Sequence, residues 1–86
     1  MHELSLALEV CRMAAARLPV DEPGRLVAVG VEVGEDAGIE VENFRFCLEA
    51  LLQDAPFAGA RPEILSGPGG DLRLAYLEVD DGSPDH

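Results

Sequence analysis

The sequence predicts an α+β fold: a single small domain with the element order α-β-α-β-β, in which two helices pack on one face of a three-stranded mixed sheet. Apolar residues recur at helical spacing in two segments, and a valine-rich segment between them alternates as a half-buried strand does. Two shorter strand-like segments follow the second helix. The chain of 86 residues has the length of one domain, and a helical crossover after the first strand makes a mixed sheet the economical arrangement.

Two helices are predicted, over residues 3–18 and 41–53. The first ends before Pro19, which cannot continue a helix. Its apolar stripe consists of Leu4, Leu8, Cys11, Ala15 and Leu18. The stripe of the second helix consists of Phe44, Cys47, Leu48 and Leu51. Acidic residues stand near the start of each helix, where they suit the helix dipole.

The first strand is predicted over residues 25–33. Its valines alternate onto the face that is expected to meet the helices, namely Val27, Val29, Val31 and Val33. The opposite face carries small and partly polar residues, namely Leu26, Ala28, Gly30 and Glu32. We expect this face to be open to solvent or covered by a partner.

Two more strands are predicted over residues 61–66 and 71–79. The turn-forming segment GPGG between them predicts a hairpin, and Pro62 indicates that the earlier of the two strands begins at a sheet edge. The large side chains of the core are expected to be Phe44, Phe46, Phe57 and Tyr76. Residues 1–80 are predicted to form the domain and residues 81–86 a flexible acidic tail.

The net charge of the chain is -11, and all six basic residues are arginine. Such a balance argues against binding to nucleic acid, which requires a basic surface, and against binding to anionic membranes. No segment is long and apolar enough to span a bilayer, and Glu3 and Glu9 interrupt the pattern of a signal peptide. Cys11 and Cys47 form no CxxC pair, which predicts two buried thiols in a cytoplasmic protein.

A catalytic site is not predicted. The serine residues have no histidine partner suggested by the sequence, and no G-x-S-x-G pattern surrounds them. The segment GPGG lacks the lysine and the following helix of a phosphate-binding loop. Without a set of nucleophile, base and oxyanion donors, the sequence indicates that the protein is not an enzyme.

The start of the chain carries a candidate metal site formed by Met1, His2 and Glu3. The α-amine, the His2 amide nitrogen and the His2 imidazole can close small chelate rings on one ion, and the amide or carboxylate of Glu3 can supply a fourth ligand. Nitrogen-rich planar sets suit Ni(II) or Cu(II) better than tetrahedral Zn(II). The alternative is that His2 is a polar residue at a helix start and that Glu3 serves the helix dipole. The residues alone leave both interpretations open.

Three segments of the chain resemble one known family when they are taken together. They are MHELSLA at the start, VAVGVEVGEDAGIEVENFRFCLEAL in the middle and GGDLRLAYLEVD near the end. They resemble the HypA/HybF family of accessory proteins, which insert nickel during maturation of nickel–iron hydrogenases and, in some organisms, of urease. The resemblance covers residues 1–80, and its middle segment is specific because a G-E-x-x-G turn before an FRFC helix rarely occurs by chance.

The resemblance implies a nickel-binding accessory protein, a metallochaperone, that holds Ni(II) transiently at Met1, His2 and Glu3. An acidic residue after the first strand has been implicated in some members, and Glu40 occupies the matching region. The implied partners are a hydrogenase large subunit or a GTPase of the HypB type, together with a second copy of the chain in a possible homodimer.

The chain departs from the family between its last two strands. Family members normally carry a zinc-binding insertion with two CxxC pairs there, whereas this chain has GPGG. We therefore expect a variant without the zinc-binding domain and without zinc. An alternative function is an interaction module that docks a hydrogenase subunit or a maturation protein without handling metal.

Overall fold

The computed structural model describes residues 2–18, 25–54 and 56–80. The elements along the chain are α1 (Glu3–Arg17), β1 (Arg25–Gly34), α2 (Val41–Leu51), β2 (Arg61–Gly67) and β3 (Leu72–Asp80). The order is α-β-α-β-β, and the two helices pack on one face of a three-stranded mixed sheet, so the predicted fold class is confirmed. Pro19 and the predicted tail 81–86 lie outside the described residues. Neither helix in the described part has the length and apolar character needed to cross a membrane.

The strand order is β2-β1-β3, with β1 parallel to β2 and antiparallel to β3. The predicted hairpin between β2 and β3 is therefore wrong, because each of these strands pairs with β1 and not with the other. The segment that joins them crosses the end of β1, where backbone amides of residues 34–36 donate to backbone carbonyls of residues 67–71 over distances of 2.8 Å. The prediction from Pro62 is confirmed, since β2 is an edge strand of this sheet.

One face of β1 differs from the predicted alternation near its start. The register between β1 and β3 shifts between Leu26 and Ala28, which marks a β-bulge. Because the bulge adds one residue, Leu26 turns into the core with Val29, Val31 and Val33, and Val27 is not part of that cluster. The predicted places of Leu26 and Val27 are thus exchanged.

The predicted apolar stripe of α1 is confirmed only in part: Cys11 is buried and Leu18 packs against the core, but the other three residues face outward. Leu4 and Leu8 are 54% and 51% exposed, and Ala15 is also exposed. The buried positions of α1 are Glu3, Ala7, Val10, Cys11 and Ala14. They too recur at helical spacing: Ala7, Val10, Cys11 and Ala14 pack in the core, and the Glu3 carboxylate is hydrogen-bonded to the start of α2. The predicted stripe of α2 is confirmed, with Phe44 and Leu48 fully buried and Cys47 and Leu51 packed against the core.

Two of the four large side chains expected in the core lie elsewhere. Phe57 is buried as predicted, but Phe46 is 68% exposed on α2 and Tyr76 is 38% exposed on β3. The Tyr76 ring lies on the sheet face opposite the helices and covers Gly30, where a β carbon would clash with it. On this face Ala28 and Gly30 are buried by the chain itself, whereas the prediction offered only solvent or a partner.

A candidate metal site at the start of the first helix

His2 is the residue immediately before α1, and its backbone carbonyl accepts the first helical hydrogen bond, from the Leu6 amide at 2.9 Å. Its side chain makes no capping hydrogen bond and is exposed. The imidazole is thus not engaged in the structural role that a polar residue at a helix start commonly has. It stands at the surface beside Glu3, where it is accessible to an ion.

Glu3 is buried to 4% exposure, and it is the one charged side chain that is buried among the described residues. Its Oε2 accepts a hydrogen bond from the Glu40 backbone amide at 3.0 Å, and its Oε1 accepts one from Asn43 Nδ2 at 3.2 Å. A buried charge is costly unless it is paired or hydrogen-bonded, and here the carboxylate also faces the positive end of the α2 dipole. Glu3 therefore joins the start of α1 to the start of α2.

The protonation of Glu3 follows from these contacts. Hydrogen bonds from the amino group of the chain, from the Glu40 amide and from the Asn43 side chain favour the ionised form over the opposing effect of desolvation. Together they lower the pKa of the Glu3 carboxyl group from 4.5 to about 2. Glu3 is consequently a carboxylate at neutral pH.

Glu40 is the N-cap of α2, and its side chain accepts a hydrogen bond from the Asn43 backbone amide at 3.3 Å. The structure brings the two predicted acidic residues together, but through the backbone of Glu40, since the Glu40 amide is the group that contacts Glu3. The Glu40 carboxylate itself is occupied in capping its own helix.

Asn43 is the residue of this site that sequence reasoning missed. It binds Glu3 through its side chain and Glu40 through its backbone, and so connects both predicted acidic residues. The signal was present as an acidic N-cap followed three positions later by a polar residue, which is the spacing of a helix capping box. What the spacing does not reveal is the contact to a residue of another helix.

A surface cavity of about 640 Å³ opens at this point and is lined by Glu3, Gly38, Ile39, Glu40 and Asn43. Within residues 2–18, 25–54 and 56–80, no three histidine, cysteine, aspartate or glutamate side chains are gathered in a metal-binding group. The predicted chelate uses amine and amide nitrogens in addition to the His2 ring, and its first residue, Met1, lies outside the described residues.

The two cysteines lie on the two helices. Cys11 on α1 is buried, and desolvation raises the pKa of its thiol, whereas Cys47 on α2 is half-buried. Both thiols are free. The prediction of buried thiols holds fully for Cys11 and in part for Cys47.

Comparison with known proteins places this domain in a class of proteins that take part in the incorporation of nickel into enzymes. The family described as "Hydrogenase/urease nickel incorporation, metallochaperone, hypA" matches residues 1–70, so the match ends in the connection between β2 and β3. The chain belongs to the HypA family.

Individual relatives agree with the family match. The chain is 36% identical over 79 residues to the hydrogenase maturation factor HypA of Albidiferax ferrireducens, covering 92% of this chain and 70% of that protein. It is 38% identical to the HypA of Azotobacter chroococcum over 80% of this chain and 61% of the relative. The HypA of Chlorobium phaeobacteroides is 35% identical over 70% of this chain and 53% of its own length. The chain thus spans between about half and about seven tenths of the length of these relatives.

The connection between β2 and β3 bears on the predicted loss of the zinc-binding domain. It consists of a few residues between Gly67 and Leu72, and it contains no cysteine. This short connection and the family match agree with a HypA variant that has no zinc-binding insertion between these two strands.

Proposed function

We propose that this chain is a nickel-binding accessory protein that holds Ni(II) as transient cargo through Met1, His2 and Glu3. The observation that carries the proposal is the exposed His2 imidazole, which is not used for helix capping, at the start of a domain of the HypA family. Imidazole and main-chain nitrogens form a ligand set suited to Ni(II), and Cu(II) is the expected competitor by the Irving–Williams order. Zinc is not part of the proposed site.

The position of these groups in the helix favours main-chain ligands. The first amides of an α-helix have no acceptor within the helix, so a metal ion can displace the amide protons of His2 and Glu3 to solvent without breaking the helical hydrogen-bond ladder. The Glu3 carboxylate, in contrast, already accepts hydrogen bonds from two donors at the start of α2, the amide of its N-cap Glu40 and the Asn43 side chain. We infer that Glu3 contributes its amide nitrogen and that Glu40 acts from outside the ligand set.

The proposed setting is the maturation of a nickel–iron hydrogenase in the cytoplasm. The partners would be a hydrogenase large subunit or a GTPase of the HypB type, with a homodimer as a further possible assembly. Residues 1–80 would act as the nickel-binding domain, and the protein would carry metal without turning over a substrate. The similar proteins are named as hydrogenase maturation factors, which supports this setting.

Calorimetric titration of untagged protein with Ni(II) tests the site. We expect His2→Ala to weaken nickel binding by at least about 1.4 kcal/mol, which is tenfold in Kd. The matched control is His86→Ala, because His86 is the only other histidine of the sequence. Equal affinity of the His2→Ala protein and the unchanged protein would refute the proposed site.

A second candidate function is a docking module that acts without metal transfer. It is favoured by Leu4 and Leu8, which are more than half exposed on α1 next to His2 and Glu3. Co-purification with the maturation proteins discriminates between the two functions. A stoichiometric complex that is unaffected by His2→Ala but lost with Leu4→Ser and Leu8→Ser would favour docking over nickel delivery.

A further inference from the structure

The side chain of Asn43 donates a hydrogen bond to the Glu3 carboxylate. The hydrogen bond from Asn43 Nδ2 to Glu3 Oε1 measures 3.2 Å and joins residues of two different helices. The second oxygen of the same carboxylate is held by the Glu40 amide at 3.0 Å. Both oxygens of the carboxylate of Glu3, the residue after His2, are thus hydrogen-bonded to the start of α2.

Asn43 is exposed, and its main chain lies in the first turn of α2. It is the third residue of α2, and its backbone amide donates to the Glu40 side chain at 3.3 Å, so its main chain is held by the cap of its own helix. A donor whose backbone is fixed in this way can fix its acceptor. Without the Asn43 side chain, Oε1 of the buried Glu3 carboxylate would lose this hydrogen bond, and the loss of a hydrogen bond to a buried charge is costly.

We propose that Asn43 is a positioning residue of the nickel site: through Glu3 it orients the segment that carries the His2 and Glu3 nitrogens. The inference rests on the proposed function and assigns to α2 the task of presenting the start of α1 to the metal. Residues that orient metal ligands from behind affect affinity although they do not touch the ion. Asn43 acts in this manner, through hydrogen bonding and not as a ligand.

The geometry allows a reciprocal exchange of donor and acceptor. In Asn43→Asp the donor becomes a second carboxylate facing Glu3, which removes the hydrogen bond and adds repulsion between like charges. In the double variant Glu3→Gln with Asn43→Asp, the glutamine oxygen can still accept from the Glu40 amide, and its nitrogen can donate to Asp at position 43. The double variant therefore restores the contact with its direction reversed.

The test measures Ni(II) affinity by calorimetry on untagged chains of all 86 residues, with Leu77→Ala as a control for lost stability. Leu77 is a half-buried β3 residue that packs on the core and makes none of the hydrogen bonds of Glu3. We expect Asn43→Asp to weaken nickel binding about tenfold, the double variant to recover most of that loss, and Leu77→Ala to leave affinity unchanged. Unchanged affinity in Asn43→Asp, or a double variant as weak as the single one, would overturn the proposal.

A second measurement separates this proposal from the proposed function. Amide spectra of the metal-free proteins report the position of His2 and Leu6 directly. We expect Asn43→Asp to shift these signals and the double variant to return them toward those of the unchanged chain. If nickel binding proves independent of His2, the proposed function fails while the spectra still decide whether Asn43 positions this segment; unshifted signals in Asn43→Asp refute the positioning role.

Discussion

Tyr76 on β3 covers Gly30 on β1, directly opposite it in the antiparallel pair. The ring lies on the sheet face away from the helices, and its hydroxyl group donates a hydrogen bond to Glu63 on β2. The side chain therefore spans all three strands, and Gly30 is the position where the ring crosses the central strand. The absence of a side chain at Gly30 is what permits this crossing.

Gly30→Ala is expected to destabilise the fold by about 1–3 kcal/mol, because the added methyl group must displace the Tyr76 ring. Thermal or urea denaturation measures the loss. In the background Tyr76→Ala the same substitution should cost clearly less, since the two residues are in contact and their effects are not additive. Equal costs in both backgrounds would show that the ring does not define the requirement for glycine.

Gly34 is expected to be at least as sensitive as Gly30. A β carbon there would clash with the backbone of Gly69 in the segment that crosses the end of β1, and a backbone cannot rotate aside as a side chain can. Gly34→Ala should cost roughly 1–3 kcal/mol or more in denaturation experiments. Gly70→Ala is the matched control, because a β carbon at Gly70 would come no closer than 3.7 Å to the Asp36 oxygen. Equal stability of the two variants would contradict this packing of the connection.

The rotation of α1 predicts which of its apolar residues matter for stability. Leu4→Ala is expected to change the free energy of unfolding by no more than about 0.5 kcal/mol, because Leu4 is 54% exposed. Val10→Ala removes two methyl groups from a fully buried position and is expected to cost roughly 1–3 kcal/mol. A larger loss of stability for Leu4→Ala than for Val10→Ala would contradict this orientation and support the one predicted from the sequence.

The contacts of Glu3 predict a dependence of stability on pH. The folded-state pKa of about 2 lies below the ordinary value of 4.5, so ionised Glu3 stabilises the fold above about pH 4.5, and this contribution is lost as pH falls toward 2. In metal-free buffer, the difference in Tm between the unchanged chain and Glu3→Gln should be largest near neutral pH and shrink on acidification. Glu9→Gln, at an exposed position paired with Arg12, serves as the control. A Tm difference that stays constant with pH would rule out this role of the Glu3 charge.

Most of the fold was predictable because it follows from local patterns. Helical spacing located α2 and its buried Phe44, and valine alternation located β1. The order of the strands was not predictable from turn residues, because GPGG fits a hairpin as well as it fits the crossing over the end of β1. The bulge at Val27 likewise depends on pairing with a strand that is distant in sequence.

The site was predictable to the extent that it lies in one short segment. His2 and Glu3 are neighbours in the chain, so their chemistry could be considered without a fold. The burial of Glu3, in contrast, depends on Glu40 and Asn43, which α2 brings to the start of α1 from about forty residues away in the chain. A search for apolar residues at helical spacing passes over a buried stripe that contains a glutamate. For this reason the predicted rotation of α1 was wrong.

The central claim is that nickel binds the amino group of the chain together with the His2 nitrogens. Its most direct test is a Ni(II) titration of the untagged chain beside a chain with one alanine added before Met1, which moves the amine away from His2 and leaves every other residue unchanged. The account predicts that the addition weakens nickel binding by at least about tenfold, or about 1.4 kcal/mol. Equal affinity of the two chains would contradict it.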